Sequence, residues 1–81
     1  MQSWHIHISG MVQGLGFRPH VYRLAEELKV KGTVSNSTNG VHIIATAEET
    51  VLKEFYKTLI DHPPANAIIT HHDAEIIPLQ Q

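Results

Sequence analysis

The chain has 81 residues, which corresponds to one small domain near the lower limit of independent folding. Six Lys and Arg against eight Asp and Glu give a formal net charge of −2, so no broad positive field is available for nucleic acid. Cysteine is absent, and no segment has the pattern of a membrane span or a signal peptide. We therefore expect a single cytoplasmic domain over residues 1–81. Its abrupt apolar ending suggests a piece of a longer multidomain protein.

The first third of the chain predicts a strand, a glycine-rich turn and a helix. Residues 4–8 alternate apolar and polar, and the apolar members should face the core: Trp4, Ile6 and Ile8. Residues 10–18, which we call the glycine loop, hold three glycines followed by Phe-Arg. From residue 19 to residue 29 the apolar period is that of an amphipathic helix, with a buried stripe of Val21, Leu24, Ala25 and Leu28. Gly32 is expected to mark the exit from the connection between this helix and the next strand.

The next segment predicts a hairpin. A second strand is expected over residues 31–35, with Val34 facing inward, and a turn over residues 36–40. The turn contains Asn39-Gly40, a strong hairpin signal. A third strand should follow, with one apolar face made of Val41, Ile43 and Ala45.

The last third predicts a helix and a strand. Thr46 and Glu49 match a capping box, with Thr46 as the N-cap of a helix that reaches about residue 60. Its core stripe should be Leu52, Phe55 and Leu59, and the prolines at 63 and 64 should end it. A fourth strand is expected over residues 67–75, with Ile68 inward. The order β-α-β-β-α-β predicts a ferredoxin-like α+β sandwich, in which two helices cover one face of an antiparallel sheet.

The glycine loop is the main candidate for chemistry. Glycines in a strand-to-helix turn let several N–H groups point at one anion, and the helix N-terminus adds a partial positive charge. Arg18 follows with a planar fork of donors suited to phosphate oxygens. The loop lacks the Lys-Ser/Thr ending of a nucleotide P-loop and the spacing of a dinucleotide fingerprint. On residue types alone, a phosphate site is only slightly favoured over a plain connecting turn.

Two segments together resemble a known family. Residues 10–18, Gly-Met-Val-Gln-Gly-Leu-Gly-Phe-Arg, are similar to the signature of the acylphosphatases. Residues 32–36, Gly-Thr-Val-Ser-Asn, followed by Asn39-Gly40-Val41, resemble the second motif of that family. Pro19 and the segment His-Pro-Pro-Ala at 62–65 resemble a subgroup, the N-terminal acylphosphatase-like domain of HypF hydrogenase-maturation carbamoyltransferases. The short last strand of the family is not visible, so one sheet edge is expected to be open.

The resemblance implies hydrolysis of the carboxyl–phosphate bond of acyl phosphates, with carbamoyl phosphate as the expected substrate. It implies that Arg18 and Asn36 are catalytic, Arg18 by binding phosphate and Asn36 by positioning water. It also implies a set of phosphate-binding residues: Val12, Gln13, Gly14, Leu15, Gly16, Phe17 and Arg18. No cofactor, metal, nucleic acid or membrane is expected, and the partners are the small substrate and further domains of the same chain.

Other functions remain open at this stage. A non-catalytic module that binds carbamoyl phosphate for other domains is one alternative. A single-stranded RNA module is another, because RRM domains share this topology, but the chain is acidic and has few aromatic residues. Of the seven histidines, His5, His7 and His42 are predicted on the open face of the sheet, without the spacing of a metal site. His20 lies in the first helical turn, from which it could reach the glycine loop.

Overall fold

The computed structural model describes residues 1–12, 14 and 16–80. Its four strands are β1 (Gln2–Met11), β2 (Lys31–Ser37), β3 (Gly40–Ala47) and β4 (Ile68–Ile77). Its two helices are α1 (Phe17–Leu28) and α2 (Glu49–Asp61). Within the described ranges, neither helix has the length and hydropathy needed to cross a membrane.

The four strands form one antiparallel sheet in the order β2-β3-β1-β4. Each βαβ unit therefore has a strand of the other unit inserted between its own two strands, which is the predicted ferredoxin-like arrangement. Strand β1 is central and pairs on both sides, whereas β2 and β4 form the two edges of the described sheet. The predicted fold class is confirmed.

The hydrophobic core lies between the sheet and the two helices. Ile6 and Ile8 of β1 are fully buried, as the alternating pattern predicts, and Trp4 packs at the margin of the core. The predicted stripe of α2 is fully buried: Leu52, Phe55 and Leu59. The predicted face of β3 is also buried: Val41, Ile43 and Ala45. In α1, Val21 is buried, and Phe17 adds a core residue that the sequence pattern missed.

Both ends of α1 differ from the prediction. The helix begins two residues early, at Phe17, because Gly16 takes the N-cap position with φ 73°. It ends at Leu28, one residue early, and the C-cap residue Lys29 has a φ of 60° that allows its N–H to bond back to the last turn. Strand β2 begins at Lys31, one residue before the glycine at which the connection from α1 was expected to end. Gly32 lies inside β2, where a Cβ atom would fall 1.7 Å from the carbonyl oxygen of Ile44.

The predicted capping box is also wrong. Thr46 belongs to β3, and Glu48 is the N-cap of α2, without a side-chain cap hydrogen bond. The hydroxyl of Thr46 instead lies 2.6 Å from that of buried Ser3, which also accepts a hydrogen bond from the backbone N–H of Gln80. Pairing with β1 thus extends β3 beyond the point where a cap could form.

The facing of Ile68 is a third correction. Ile68 is 54% exposed, and the neighbouring Ile69 packs against the core instead. The cause is a bulge in the pairing of β1 with β4, where Ser9 pairs with His71 but Gly10 pairs with Ile69. One extra residue, Thr70, reverses which side chains face inward beyond that point.

The hairpin between β2 and β3 is tighter than predicted. Ser37 pairs with Gly40, so that only two residues form the turn, and Gly40 is the first residue of β3. Gly40 has a φ of +126°, and a Cβ atom there would lie 2.3 Å from the carbonyl oxygen of Ile8. The turn therefore needs glycine for two reasons, its backbone conformation and its close contact with β1.

A comparison of two glycine substitutions separates these reasons. Gly14→Ala should cost roughly 1–2 kcal/mol, because its φ of +73° disfavours alanine but open space surrounds it. Gly40→Ala should cost about 3 kcal/mol or more, since the collision with β1 is added. Urea denaturation of both variants measures the difference. Equal losses of unfolding free energy would reject the close contact.

Candidate active site

The glycine loop joins the end of β1 to the start of α1. Val12 is fully buried and fixes the point where the chain leaves the sheet. Gly14 and Gly16 both have φ +73°, and a Cβ atom on either would meet no atom within 4 Å. The backbone on this side of the loop is therefore open to a ligand. The predicted phosphate-binding residues Gln13 and Leu15 lie outside the described residues.

The N-terminus of α1 faces this loop, and its first backbone N–H groups have no hydrogen-bond partner among the described residues. The first intrahelical bond runs from the His20 N–H to the carbonyl oxygen of Gly16, at 3.1 Å. The N–H groups of Phe17 and Arg18 precede that bond, and Pro19 has no N–H. Gly16 supplies no side-chain cap, and the first turn contains no acidic residue. The positive end of the helix is thus left available to an external anion.

Arg18 brings a full positive charge to the same helix end. Its side chain is exposed, while the preceding Phe17 is buried and anchors the turn. Among the described residues, its guanidinium forms no ion pair. The charge is therefore available to a ligand instead of being neutralised within the fold.

Asn36 lies at the same end of the sheet. It pairs with Val41, which in turn pairs with Ile8, three residues before β1 ends. Residues that lie opposite one another in an antiparallel pair share a face, so Asn36 is on the helix-covered side, toward the glycine loop. Its side chain is exposed and has no hydrogen-bond partner in the described part of the chain. The topology thus places both predicted catalytic residues at one end of the molecule.

A groove of about 260 Å³ opens elsewhere, between α1 and strands β2 and β3. It is lined mainly by apolar side chains near the start of β2, including Val30 and Val34, with Glu26 and Lys31 at its margin. This is the opposite end of β2 from Asn36. An apolar groove without a cluster of donors does not suit a phosphate, so we place the candidate site at the glycine loop.

His20 is half-buried rather than solvated. Its ring lies edge-on to Phe17, with centroids 6.2 Å apart. Its Nε2 atom is buried and has no hydrogen-bond partner among the described residues. Such an unpaired atom typically costs about 1–3 kcal/mol, which makes His20 an unusual neighbour of the candidate site.

The open face of the sheet carries the three histidines that the alternating pattern placed there. We call them the histidine stack: His5, His42 and His7. Their rings are nearly parallel, with centroids 5.2 Å apart for His5 and His42 and 4.5 Å for His7 and His42. Burial first, and then the charges of His7 and His5, lower the pKa of His42. Across the described residues, no group of three or more His, Cys, Asp or Glu is arranged to hold a metal ion.

The fold and the loop define a ferredoxin-like α+β domain with an open helix N-terminus beside an arginine that has no ion-pair partner in the described ranges. The chain belongs to the acylphosphatase family, whose family model, described as Acylphosphatase, matches residues 4–81. An acylphosphatase from Pseudothermotoga lettingae is 45% identical over 71 residues, covering 86% of this chain and 80% of that protein. This similarity supports an enzyme of the acylphosphatase type.

A second group of relatives is much longer. The carbamoyltransferase HypF from Synechocystis sp. is 40% identical over 75 residues, which are 93% of this chain but 10% of that protein. The crystal structure of full-length HypF in its phosphate- and nucleotide-bound form matches with a TM-score of 0.96 and 31% identity. The match covers 99% of this chain and 11% of that chain. The predicted resemblance to both groups is confirmed.

The geometry of the loop predicts where an anion binds. Inorganic phosphate should shift the backbone amide signals of Gly14, Gly16, Phe17 and Arg18, because their N–H groups border the open side of the loop. At 100 times its dissociation constant, phosphate should stabilise the fold by about 2.7 kcal/mol through linkage. Two-dimensional NMR and thermal unfolding measure the two effects. Shifts centred on His5 and His7 would contradict this location.

Proposed function

We propose that this chain hydrolyses the carboxyl–phosphate bond of acyl phosphates at the glycine loop. The observation that carries the proposal is the N-terminus of α1, where positive-φ Gly16 gives no side-chain cap and Arg18, in the first turn, has no ion-pair partner among the residues that the structure describes. Phosphoryl transfer depends mainly on positioning and on stabilisation of charge. A set of backbone donors plus one guanidinium supplies both.

In this proposal the phosphate oxygens are held by backbone N–H groups of residues 12–17 and by Arg18. The guanidinium fork can donate two parallel hydrogen bonds to one phosphoryl group. Because the negative charge spreads over the three equatorial oxygens in the transition state, these donors act throughout the reaction. Arg18 thus serves both substrate binding and turnover.

Asn36 positions the attacking water in this scheme. Its carbonyl oxygen accepts a hydrogen bond from water, and its amide can donate another to an oxygen nearby. Water attacks phosphorus, the bond from phosphorus to the acyl oxygen breaks, and a carboxylate leaves with both electrons of that bond. The carboxylate is already a stable anion, so the leaving group needs no general acid.

The finer assignment is carbamoyl phosphate as the substrate, within a cytoplasmic HypF-like protein of hydrogenase maturation. It is supported by the relative named carbamoyltransferase HypF and by the Phe-Arg-Pro sequence at 17–19. The absence of cysteine suits a reducing compartment. The chain spans only about a tenth of those relatives, and this short span favours one alternative function, a binding module within a larger protein. The domain would then bind the anion without hydrolysing it, for use by other domains.

Kinetics of Arg18 and Asn36 variants distinguish these functions. Arg18→Ala should weaken phosphate inhibition and abolish turnover, and Arg18→Lys should not restore it, because an ammonium lacks the planar fork. Asn36→Ala should lower kcat by roughly 10²–10³ with little change in phosphate inhibition. Hydrolysis of benzoyl phosphate and of carbamoyl phosphate is the assay.

Two matched controls accompany this assay. Arg23→Ala removes an equal charge from an exposed position of α1, and Thr33→Ala truncates a side chain earlier on β2. Both should retain the wild-type kcat. Wild type that binds phosphate but hydrolyses neither substrate would favour the binding module. An unchanged kcat in Asn36→Ala would reject the water-positioning role.

A further inference from the structure

The histidine stack connects strand β4 to the turn between β2 and β3. Glu75 Oε1 lies 3.2 Å from His5 Nδ1, and His5 Nε2 lies 2.9 Å from His42 Nδ1. His42 Nε2 lies 3.0 Å from both Ser37 Oγ and Asn39 Oδ1. These contacts form one continuous chain from the carboxylate of Glu75 to the turn.

His7 fixes the same turn from a second direction. Its Nε2 atom donates to the backbone carbonyl oxygen of Asn39 over 2.7 Å, which requires the proton to be on Nε2. Its Nδ1 atom lies 3.7 Å from Asp73. Protonation of Nδ1 therefore leaves the contact of His7 with the turn intact.

The contacts of His5 and His42 fit two arrangements that differ by one proton. With the additional proton, His5 donates from both ring nitrogens, to Glu75 and to His42, and His42 Nε2–H then donates toward Asn39 Oδ1. Without it, His5 keeps its proton on Nδ1 for Glu75 and accepts at Nε2 from His42. His42 Nε2 then has only a lone pair, and with the oxygen of the Asn39 amide facing the ring it accepts from the hydroxyl of Ser37.

The additional proton on His5 therefore determines which hydrogen bonds form within the turn. Ser37 Oγ also contacts Asn39 Oδ1 and, at 3.5 Å, the Gly40 carbonyl oxygen. Its single hydroxyl proton serves only one acceptor at a time, so a bond to His42 replaces the bond to Asn39. A third arrangement, with neutral His5 donating only to His42, would place a ring lone pair against the Glu75 carboxylate. That arrangement is disfavoured by electrostatic repulsion.

We propose that the histidine stack is a proton-responsive positioning device. Uptake of one proton at His5, opposite Glu75, transfers the hydrogen bond of His42 Nε2 from the hydroxyl of Ser37 to the side chain of Asn39. The turn that follows Asn36 shifts with this change. The link to Asn36 rests on the proposed function, whereas the response of the turn does not. His5, His7 and His42 are positioning residues in this scheme, because Asn36 and not the stack faces the glycine loop.

The surroundings of the stack are consistent with one shared proton. The titratable groups on this face come from β1 and β3, which supply the three histidines, from β4, which supplies His71, Asp73 and Glu75, and from the far end of β2, where Lys31 pairs with Thr46. Strand β2 places uncharged Ser35 opposite His42. Burial, and then the charges of His7 and His5, lower the pKa of His42 against an opposing effect of Asp73. The lowered pKa disfavours an additional proton on His42 itself.

The test is an NMR titration of wild type and of Glu75→Gln between pH 5 and 8, the range in which histidines change charge. Ring nitrogen signals of His5 and His42 and amide signals of Thr38, Asn39 and Gly40 are followed together. In wild type, both sets should change with one midpoint. Glu75→Gln should lower that midpoint by about 0.2–0.7 pH units, the effect expected for one exposed ion pair.

Glu27→Gln is the matched control, since it neutralises an exposed glutamate of α1 on the other side of the sheet. Its midpoint should equal that of wild type. Turn amides that stay constant while the rings titrate would overturn the proposal. So would a midpoint that is the same in Glu75→Gln and wild type.

A kinetic measurement then tests the link to Asn36. The pH profile of kcat for benzoyl phosphate should shift in Glu75→Gln in the same direction as the NMR midpoint, with phosphate inhibition unchanged. A kcat profile that does not shift would overturn the positioning of Asn36. If wild type does not hydrolyse benzoyl phosphate but its turn amides still respond to pH, the proposed hydrolase function is rejected and the proposed response of the turn is supported.

Discussion

The antiparallel pairing of β1 with β3 is the constraint on which the rest of this structure depends. It places Val41 beside Ile8, which sets Asn36 of the next strand at the same end of the sheet as the glycine loop. The same register brings Gly40 against the backbone of Ile8, where no side chain fits. Because side chains alternate along each strand, one register determines both the buried face and the face that carries the histidines.

Much of the fold could be predicted from the sequence because it depends on local periodicity. The period of 3.6 located the core stripe of α2, and the period of 2 placed His5 and His7 on the open face. The errors at Thr46 and Ile68 have another origin. Each depends on a partner strand distant in sequence: a hydroxyl at Ser3 for Thr46, and a bulge opposite Gly10 for Ile68.

The candidate site could be predicted only in part from the chemistry of its residues. Residue chemistry pointed to the glycine loop and Arg18, but a glycine-rich turn alone is a weak signal. Asn36 was identified through the resemblance to a family, and only topology explains how it can lie near residues far away in sequence. The contacts of the histidine stack could not be predicted, since His5 and Glu75 are 70 positions apart and meet only when the order of the strands is known.

Lys29 has a left-handed backbone conformation at the end of α1, and this bears on how the stability of the domain could be changed. Lys29 adopts φ 60° so that the chain can turn back, and the Val30 N–H bonds to the Ala25 carbonyl at 2.8 Å. For a lysine this conformation costs roughly 1 kcal/mol of free energy, whereas glycine adopts it freely. This position is at the opposite end of α1 from the glycine loop. The stability of the domain could therefore be raised at this position without a change at the glycine loop.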